Sequence, residues 1–183
     1  MKPFPPSTLE RGRVVYLRAP TRRDRAAFVE LIESSRALHR PWMDDLDDRY
    51  FDRYFERRVP LDRFGLLAIR RKDGALAGVV NVSAIQRGLF QSAYLSYFAH
   101  ARHAGEGRMT EALSLAVRHA FRTHRLHRLE ANIRPENERS IALVKRCGFR
   151  LEGYSPRYLK IRGRWRDHER WAITVEDWRG RPK

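Results

Sequence analysis

A short apolar strand that runs into two glycines and then a long amphipathic helix constrains this chain more than any other feature. The segment is Tyr94-Leu95-Ser96-Tyr97-Phe98-Ala99-His100-Ala101-Arg102-His103-Ala104-Gly105-Glu106-Gly107-Arg108-Met109. In the helix that follows, Met109, Ala112, Leu113, Ala116, Val117, Ala120 and Phe121 fall at i, i+3, i+4, i+7, i+8, i+11 and i+12, one apolar face without a miss. From Arg102 the loop reads R-x-x-G-x-G. Glycine lets backbone approach a ligand, and a helix N-terminus offers N–H groups and partial positive charge to a phosphate or pyrophosphate. Two glycines alone are a weak signal. The strand before them and the helix after make it strong.

The rest of the chain supplies a sheet for that helix. Val14–Leu17, Leu66–Arg70, Leu76–Ile85 and residues 90–98 read as strands, with turns at Lys72-Asp73-Gly74 and Arg87-Gly88. Thr21 is an N-cap candidate for a helix burying Phe28, Leu31 and Ile32, broken by His39-Arg40-Pro41-Trp42; a second, acidic helix is expected over 44–57. A strand at 127–133 sets Leu129, Ala131 and Ile133 against Arg128, Glu130 and Asn132, and a short helix spans about Asn137 to Cys147, stopped by Gly148. Phe149–Val175 reads as strands with a hairpin turn at Arg162-Gly163. The order β-α-α-β-β-β-α-β-α-β-β describes an α/β protein with a mixed sheet.

Composition narrows the setting. In 183 residues, 38 Lys and Arg against 22 Asp and Glu give a net charge of +16, which fits affinity for nucleic acid, a ribonucleoprotein or an anionic cofactor without choosing among them. Asp44, Asp45, Asp47, Asp48 and Asp52 stand out as a concentrated acidic segment in a basic protein. Cys147 is the only cysteine, so an intrachain disulfide is ruled out; it reads as a small packed residue rather than a nucleophile. No run approaches a membrane span, and Met1–Pro6 lacks the apolar core of a signal peptide, so a cytoplasmic location is expected. No metal-ligand spacing appears.

With R-x-x-G-x-G between the fourth strand and the third helix, the chain resembles the GNAT acyl-CoA N-acyltransferase superfamily. Asn137-x-x-Ser140, Gly148-Phe149 and Glu152-Gly153 resemble the N-x-x-S … G-F … E-G block of protein N-terminal acetyltransferases of the RimJ/RimL type. His39-Arg40-Pro41-Trp42, Tyr94-Leu95-x-Tyr97, Tyr158-Leu159-x-Ile161-x-Gly163-x-Trp165-Arg166-Asp167-His168 and Asp177-Trp178 resemble the RimJ branch more specifically, and the likeness covers essentially the whole chain. It implies one GNAT domain over residues 1–183. Its mixed sheet would have six to seven strands, the fourth and fifth splayed apart, flanked by about four helices. The implied cosubstrate is acetyl-CoA, with no metal.

The resemblance also assigns residues. Tyr97, Phe98, Ala99 and His100 would line the pantetheine groove, and Arg102, His103, Ala104, Gly105, Glu106, Gly107, Arg108 and Met109 the pyrophosphate loop. His103 departs from the tryptophan usual there. Asn132, Asn137 and Ser140 complete the cofactor set, although N-capping by itself explains an asparagine at 137. For the acceptor the candidates are Trp42, Asn81, Tyr94, Tyr154 and Asp167. Many GNATs use a tyrosine acid where this chain has Val144, so Ser140 is the candidate at the departing thiolate. Glu130 and Asp167 are the carboxylate candidates for a base, and a surface ion pair explains Glu130 equally well.

The implied reaction is direct attack of an amine on the thioester, most simply the N-terminal alanine of a ribosomal protein. An α-amine is ~10% neutral at pH 7 and a lysine ~0.04%, so an N-terminal acceptor needs only a weak base. The aspartates at 44–52 would border the acceptor site and attract a basic peptide, or else form a solvated helix face. The basic, aromatic hairpin 157–166 is the candidate contact with ribosome or rRNA. Alternatives are a lysine, polyamine or aminoglycoside acceptor, or a basic ribosome- or RNA-binding module without enzymatic activity.

Overall fold

In the computed structural model residues 4–44, 49–56 and 62–179 are described. The strands are β1 (Thr8–Arg11), β2 (Val15–Arg18), β3 (Phe64–Arg70), β4 (Leu76–Gln86), β5 (Ser92–Ala99), β6 (Arg128–Ile133), β7 (Arg150–Ile161) and β8 (Arg164–Thr174). The helices are α1 (Arg25–Ser34), α2 (Arg36–His39), α3 (Tyr50–Glu56), α4 (Arg108–Arg122), α5 (Glu138–Arg146) and α6 (Val175–Arg179). One sheet holds all eight strands in the order β1-β2-β3-β4-β5-β6-β8-β7. That is one or two strands and two helices more than the expected architecture. The additions among the described residues are short: β1 pairs with β2, α2 is a single turn after α1, and α6 is about a turn and a half after β8.

Neighbouring strands are antiparallel except β5 and β6, and here the sheet opens. β5 pairs with β6 only from Ser92↔Arg128 to Tyr94↔Glu130, while its other edge stays paired with β4 as far as Ala99. Past Tyr94, therefore, the β6-facing edge of β5 has no strand beside it. This is the splay expected between the strands at 90–98 and 127–133.

Two apolar layers fix the sheet around this opening. On one face α4 buries Ala112, Leu113, Ala116, Val117 and Ala120 against Leu129, Ala131 and Ile173. On the other, α1 and α3 bury Phe28, Leu31 and Phe51 against Leu67, Val79 and Phe98. Phe28 centres the second layer, its ring 5.1 Å from both Phe51 and Tyr54 and 5.8 Å from Phe98. Glu111, in the first turn of α4, accepts backbone N–H bonds from Arg13, Val14 and Val15 at 2.6–2.8 Å, tying the β1–β2 turn to the helix that carries the glycine loop.

The acidic segment differs from its expectation. α3 begins at Tyr50 rather than 44, and Asp45, Asp47 and Asp48 lie outside the described residues. The two flanking aspartates are engaged: Asp44 accepts the Arg162 backbone N–H at 2.7 Å, and Asp52 pairs with Arg25 at 3.1 Å. Among the described residues no helix is long and apolar enough to cross a membrane.

Candidate active site

The opening between β5 and β6 continues as a cleft of about 710 Å³, bordered by the α2 end, the glycine loop and α5. At one end His100 accepts the Arg102 N–H, and the chain turns through Gly105 (φ +84°) and Gly107 (φ +73°) into α4. These are left-handed conformations that suit glycine. Nothing lies within 4 Å of where a Cβ would stand at either position, so conformation rather than crowding selects them. The backbone and first turn of α4 at this end suit a pyrophosphate. Ala104, Gly105, Gly107 and Met109 line the cleft there, with His103.

The charged side chains of the loop are mostly committed elsewhere. Arg102 pairs with Glu30 at 2.9 Å and Arg108 pairs with Glu106, and none of Arg102, Glu106, Arg108 or His100 lines the cleft. His103 accepts from Arg70, whose Nη1 lies 2.9 Å from Nδ1; burial, then Arg70 and Arg108, push its pKa below the ordinary imidazole value. A neutral histidine supported by Arg70 thus occupies the position where the resembling family has tryptophan.

Tyr97, Phe98 and Ala99 line the middle of the cleft along the open edge of β5. Asn137 caps α5, its Oδ1 accepting the Ser140 N–H at 3.2 Å, and both residues also line the cleft. Capping and ligand contact are thus compatible here rather than alternatives. Val144 is fully buried, so α5 offers no hydroxyl at that position.

The far lip is a polar row on the α1/α3 face of the sheet. Asn81 donates to Ser96 Oγ at 3.4 Å across β4 and β5, and Asn132 lies on β6 beyond the gap. Asn81 Oδ1 and Asn132 Oδ1 are buried without a hydrogen-bond partner among the described residues. A buried acceptor left unpaired is costly, so both oxygens suit an N–H donor from a ligand. The Arg134 guanidinium lies 5.4 Å over the Trp42 ring and donates to the Pro41 carbonyl at 2.8 Å, closing this end.

Four further expected site residues, Glu130, Asp167, Tyr94 and Tyr154, lie off the cleft with their polar groups already paired. Glu130 sits at the closed end of the β5–β6 pair, 2.7 Å from Arg128, which also reaches Glu152. Asp167 accepts from the Tyr154 hydroxyl at 2.5 Å and the Arg157 N–H at 2.7 Å, so both oxygens are occupied; the Tyr154 bond leads in holding its pKa down. Tyr94 is hydrogen-bonded to Tyr158, which with burial pushes its pKa up to about 12. Alternation along β8 turns Asp167 away from the cleft and its neighbour His168 into it. His168, His39 and Arg134 all line the cleft and are absent from the sequence-derived set.

A sheet split between parallel neighbours, a helix N-terminus behind two left-handed glycines and a facing polar row define an acyl-CoA-dependent acyltransferase domain. The acetyltransferase (GNAT) domain family matches residues 15–150, and the chain belongs to that family. Over 115 residues it is 44% identical to the ribosomal protein uS5-alanine N-acetyltransferase of Escherichia coli (strain K12). That match covers 63% of this chain and 58% of the relative, less than two thirds of its length. A solved structure of Mycobacterium smegmatis RimJ in complex with CoA-disulfide superposes with a TM-score of 0.81 at 31% identity, covering 89% of this chain and 83% of that one. The ribosomal-protein-S5-alanine acetyltransferase of Vibrio fischeri shares the fold, with a TM-score of 0.82 at 23% identity over 94% of this chain and 98% of that one.

Proposed function

We propose that this protein transfers acetyl from acetyl-CoA to the N-terminal α-amine of a ribosomal protein in the cytoplasm, with alanine as the first residue. The observation that carries the choice of amine is electrostatic: among the described residues no Asp or Glu lines the cleft, whereas Arg134, Arg139 and Arg146 do. A polyamine or lysine arrives as a full cation and needs a counter-charge. An α-amine with pKa near 8 is ~10% neutral at pH 7 and does not. The similarity to the uS5-alanine enzyme supports the ribosomal acceptor.

In this reading the acyl donor's pyrophosphate lies at Gly105, Gly107 and the α4 N-terminus, its pantetheine arm along the open edge of β5, and its thioester near Ser140. Acetyl-CoA supplies an activated acyl group. The chain's own contribution is to hold that group where a neutral amine reaches it. Asn81 and Asn132 orient the amine through their unpaired oxygens, and the Ser140 hydroxyl hydrogen-bonds the sulfur as it departs. The hairpin end, with Trp165 61% exposed among Arg157, Lys160 and Arg164, is suited to rRNA phosphates and a stacked base, and would dock the enzyme on its substrate particle.

Thiol release from acetyl-CoA by the purified protein tests the proposal. Three acceptors are compared: a basic peptide beginning with alanine, the same peptide with a blocked N-terminus, and spermidine. Turnover with the first alone is expected. Turnover with spermidine or the blocked peptide, but not with the free N-terminus, would overturn it.

A further inference from the structure

Direct attack by an amine requires a proton acceptor, and the cleft contains no carboxylate among the described residues. Its titratable lining groups of suitable basicity are the imidazoles His39, His103 and His168. Two are committed. His39 Nε2 lies 2.8 Å from the Ala99 carbonyl, at the α2 side, and its ring stands edge-on to Phe98. His103 accepts from Arg70 beside the pyrophosphate loop, where a developing imidazolium would face that guanidinium and Arg108.

His168 is placed differently. It is 2% exposed, and Nδ1 lies 3.0 Å from the Arg166 carbonyl oxygen. A carbonyl oxygen only accepts, so Nδ1 carries the proton and the neutral ring presents the Nε2 lone pair. The register of β6 and β8 pairs Asn132 with Arg170 and Ile133 with Glu169. His168 is therefore the diagonal neighbour of Asn132 on the same sheet face, about 7–8 Å away at Cα. An amine nitrogen donating to the unpaired Asn132 oxygen would thus lie on the sheet face that carries His168, and both residues line the cleft.

We propose that His168 is the general base of this acetyltransferase, its Nε2 taking the proton from the amine as it attacks. The inference rests on acetyl transfer to an amine in this cleft, as proposed above. The amine nitrogen's lone pair forms the N–C bond, the C–S bond breaks with its electrons on sulfur, and the displaced amine proton passes to Nε2. The thiolate takes one proton from solvent by way of the Ser140 hydroxyl, and the imidazolium returns one to solvent, so the exchange balances.

The groups around the ring are consistent with a base that is neutral at pH 7. Burial is the leading influence and pushes its pKa down, and Arg134 adds to this; the Arg166 carbonyl, Asp167 and Glu136 oppose it. The Tyr158 ring packs from β7 with its centroid 5.9 Å away.

The test is the pH dependence of kcat/KM for the acetylated amine in the wild type and in His168→Asn, whose amide N–H can still donate to the Arg166 carbonyl. In the wild type the acid limb has unit slope where only the amine protonates, steepening to two below the ordinary imidazole value of about 6.5. In the variant, kcat falls about 100-fold, the limb keeps unit slope, and CoA affinity measured by calorimetry stays within about twofold of the wild type. His168→Gln is read in the same way if the asparagine variant fails to bind CoA. Retention of more than about a third of wild-type kcat, an unchanged slope of two, or a loss of turnover matched by an equal loss of CoA affinity in both variants would overturn the proposal. A wild type with no turnover on an alanine-initiated peptide counts against the acceptor assignment instead. The His168 comparison is then made on whichever amine the wild type acetylates.

Discussion

The two ends of the cleft are built by different means. The pyrophosphate end is local: one stretch from His100 to Met109 supplies a cap, two left-handed glycines and the start of α4, and backbone does most of the work. The acceptor end takes Trp42 from the turn after α2, Asn81 from β4, Asn132 from β6 and His168 from β8, and side chains do the work. Backbone sites tolerate change in neighbouring side chains and depend on conformation. Side-chain sites depend on identity at a few positions far apart in sequence. In the proposed reading the first end serves any acyl-CoA donor, and the second selects the amine.

This contrast can be broken most sharply at Gly107. Placing a β-branched valine at φ +73° strains the backbone by about 1–3 kcal/mol. Gly107→Val is expected to raise the KM for acetyl-CoA at least about tenfold, with the KM for the amine little changed at saturating acetyl-CoA. Equal loss at both would mean that the ends are not separable.

A smaller effect is expected at the other end. Asn81 Oδ1 is buried and unpaired in the free protein, so Asn81→Ala removes a desolvated acceptor. The melting temperature should hold or rise while kcat/KM for the amine falls about five- to tenfold, the value of one hydrogen bond of ~1 kcal/mol. A fall in both would show that Asn81 is structural. The smallest effect belongs to the acidic segment. With Asp44 and Asp52 already engaged, changing all five aspartates at 44–52 to asparagine is expected to raise the KM of a basic peptide no more than about threefold at low salt. The difference should vanish at about 1 M salt, where the Debye length is ~3 Å. An effect that persists at high salt would point to direct contact.

What the sequence reveals follows the same division. The periodicity of α4, the β6 alternation and the R-x-x-G-x-G loop are local signals, and the structure places those elements within a residue or two. β1 is missed because its four residues, Thr8–Arg11, never form a buried apolar stripe and are held by pairing with β2. The acceptor end is only half legible. Residue type points to Glu130 and Asp167 as bases, yet each is tied up: Glu130 by Arg128, two residues back on the same face of β6 and already visible in the strand alternation, and Asp167 by Tyr154, which the β7–β8 hairpin brings alongside. The clue to His168 is the strand period itself: a neighbour of an outward Asp167 must face inward.

The central claim is that the cleft selects an α-amine over a cationic one. It is tested most directly within a single molecule: a basic peptide with a free N-terminal alanine and an internal lysine, incubated with the protein and acetyl-CoA and mapped by tandem mass spectrometry. Acetyl on the alanine nitrogen, with the lysine unmodified, is the predicted result. Acetyl on the lysine side chain with a free N-terminus would contradict it.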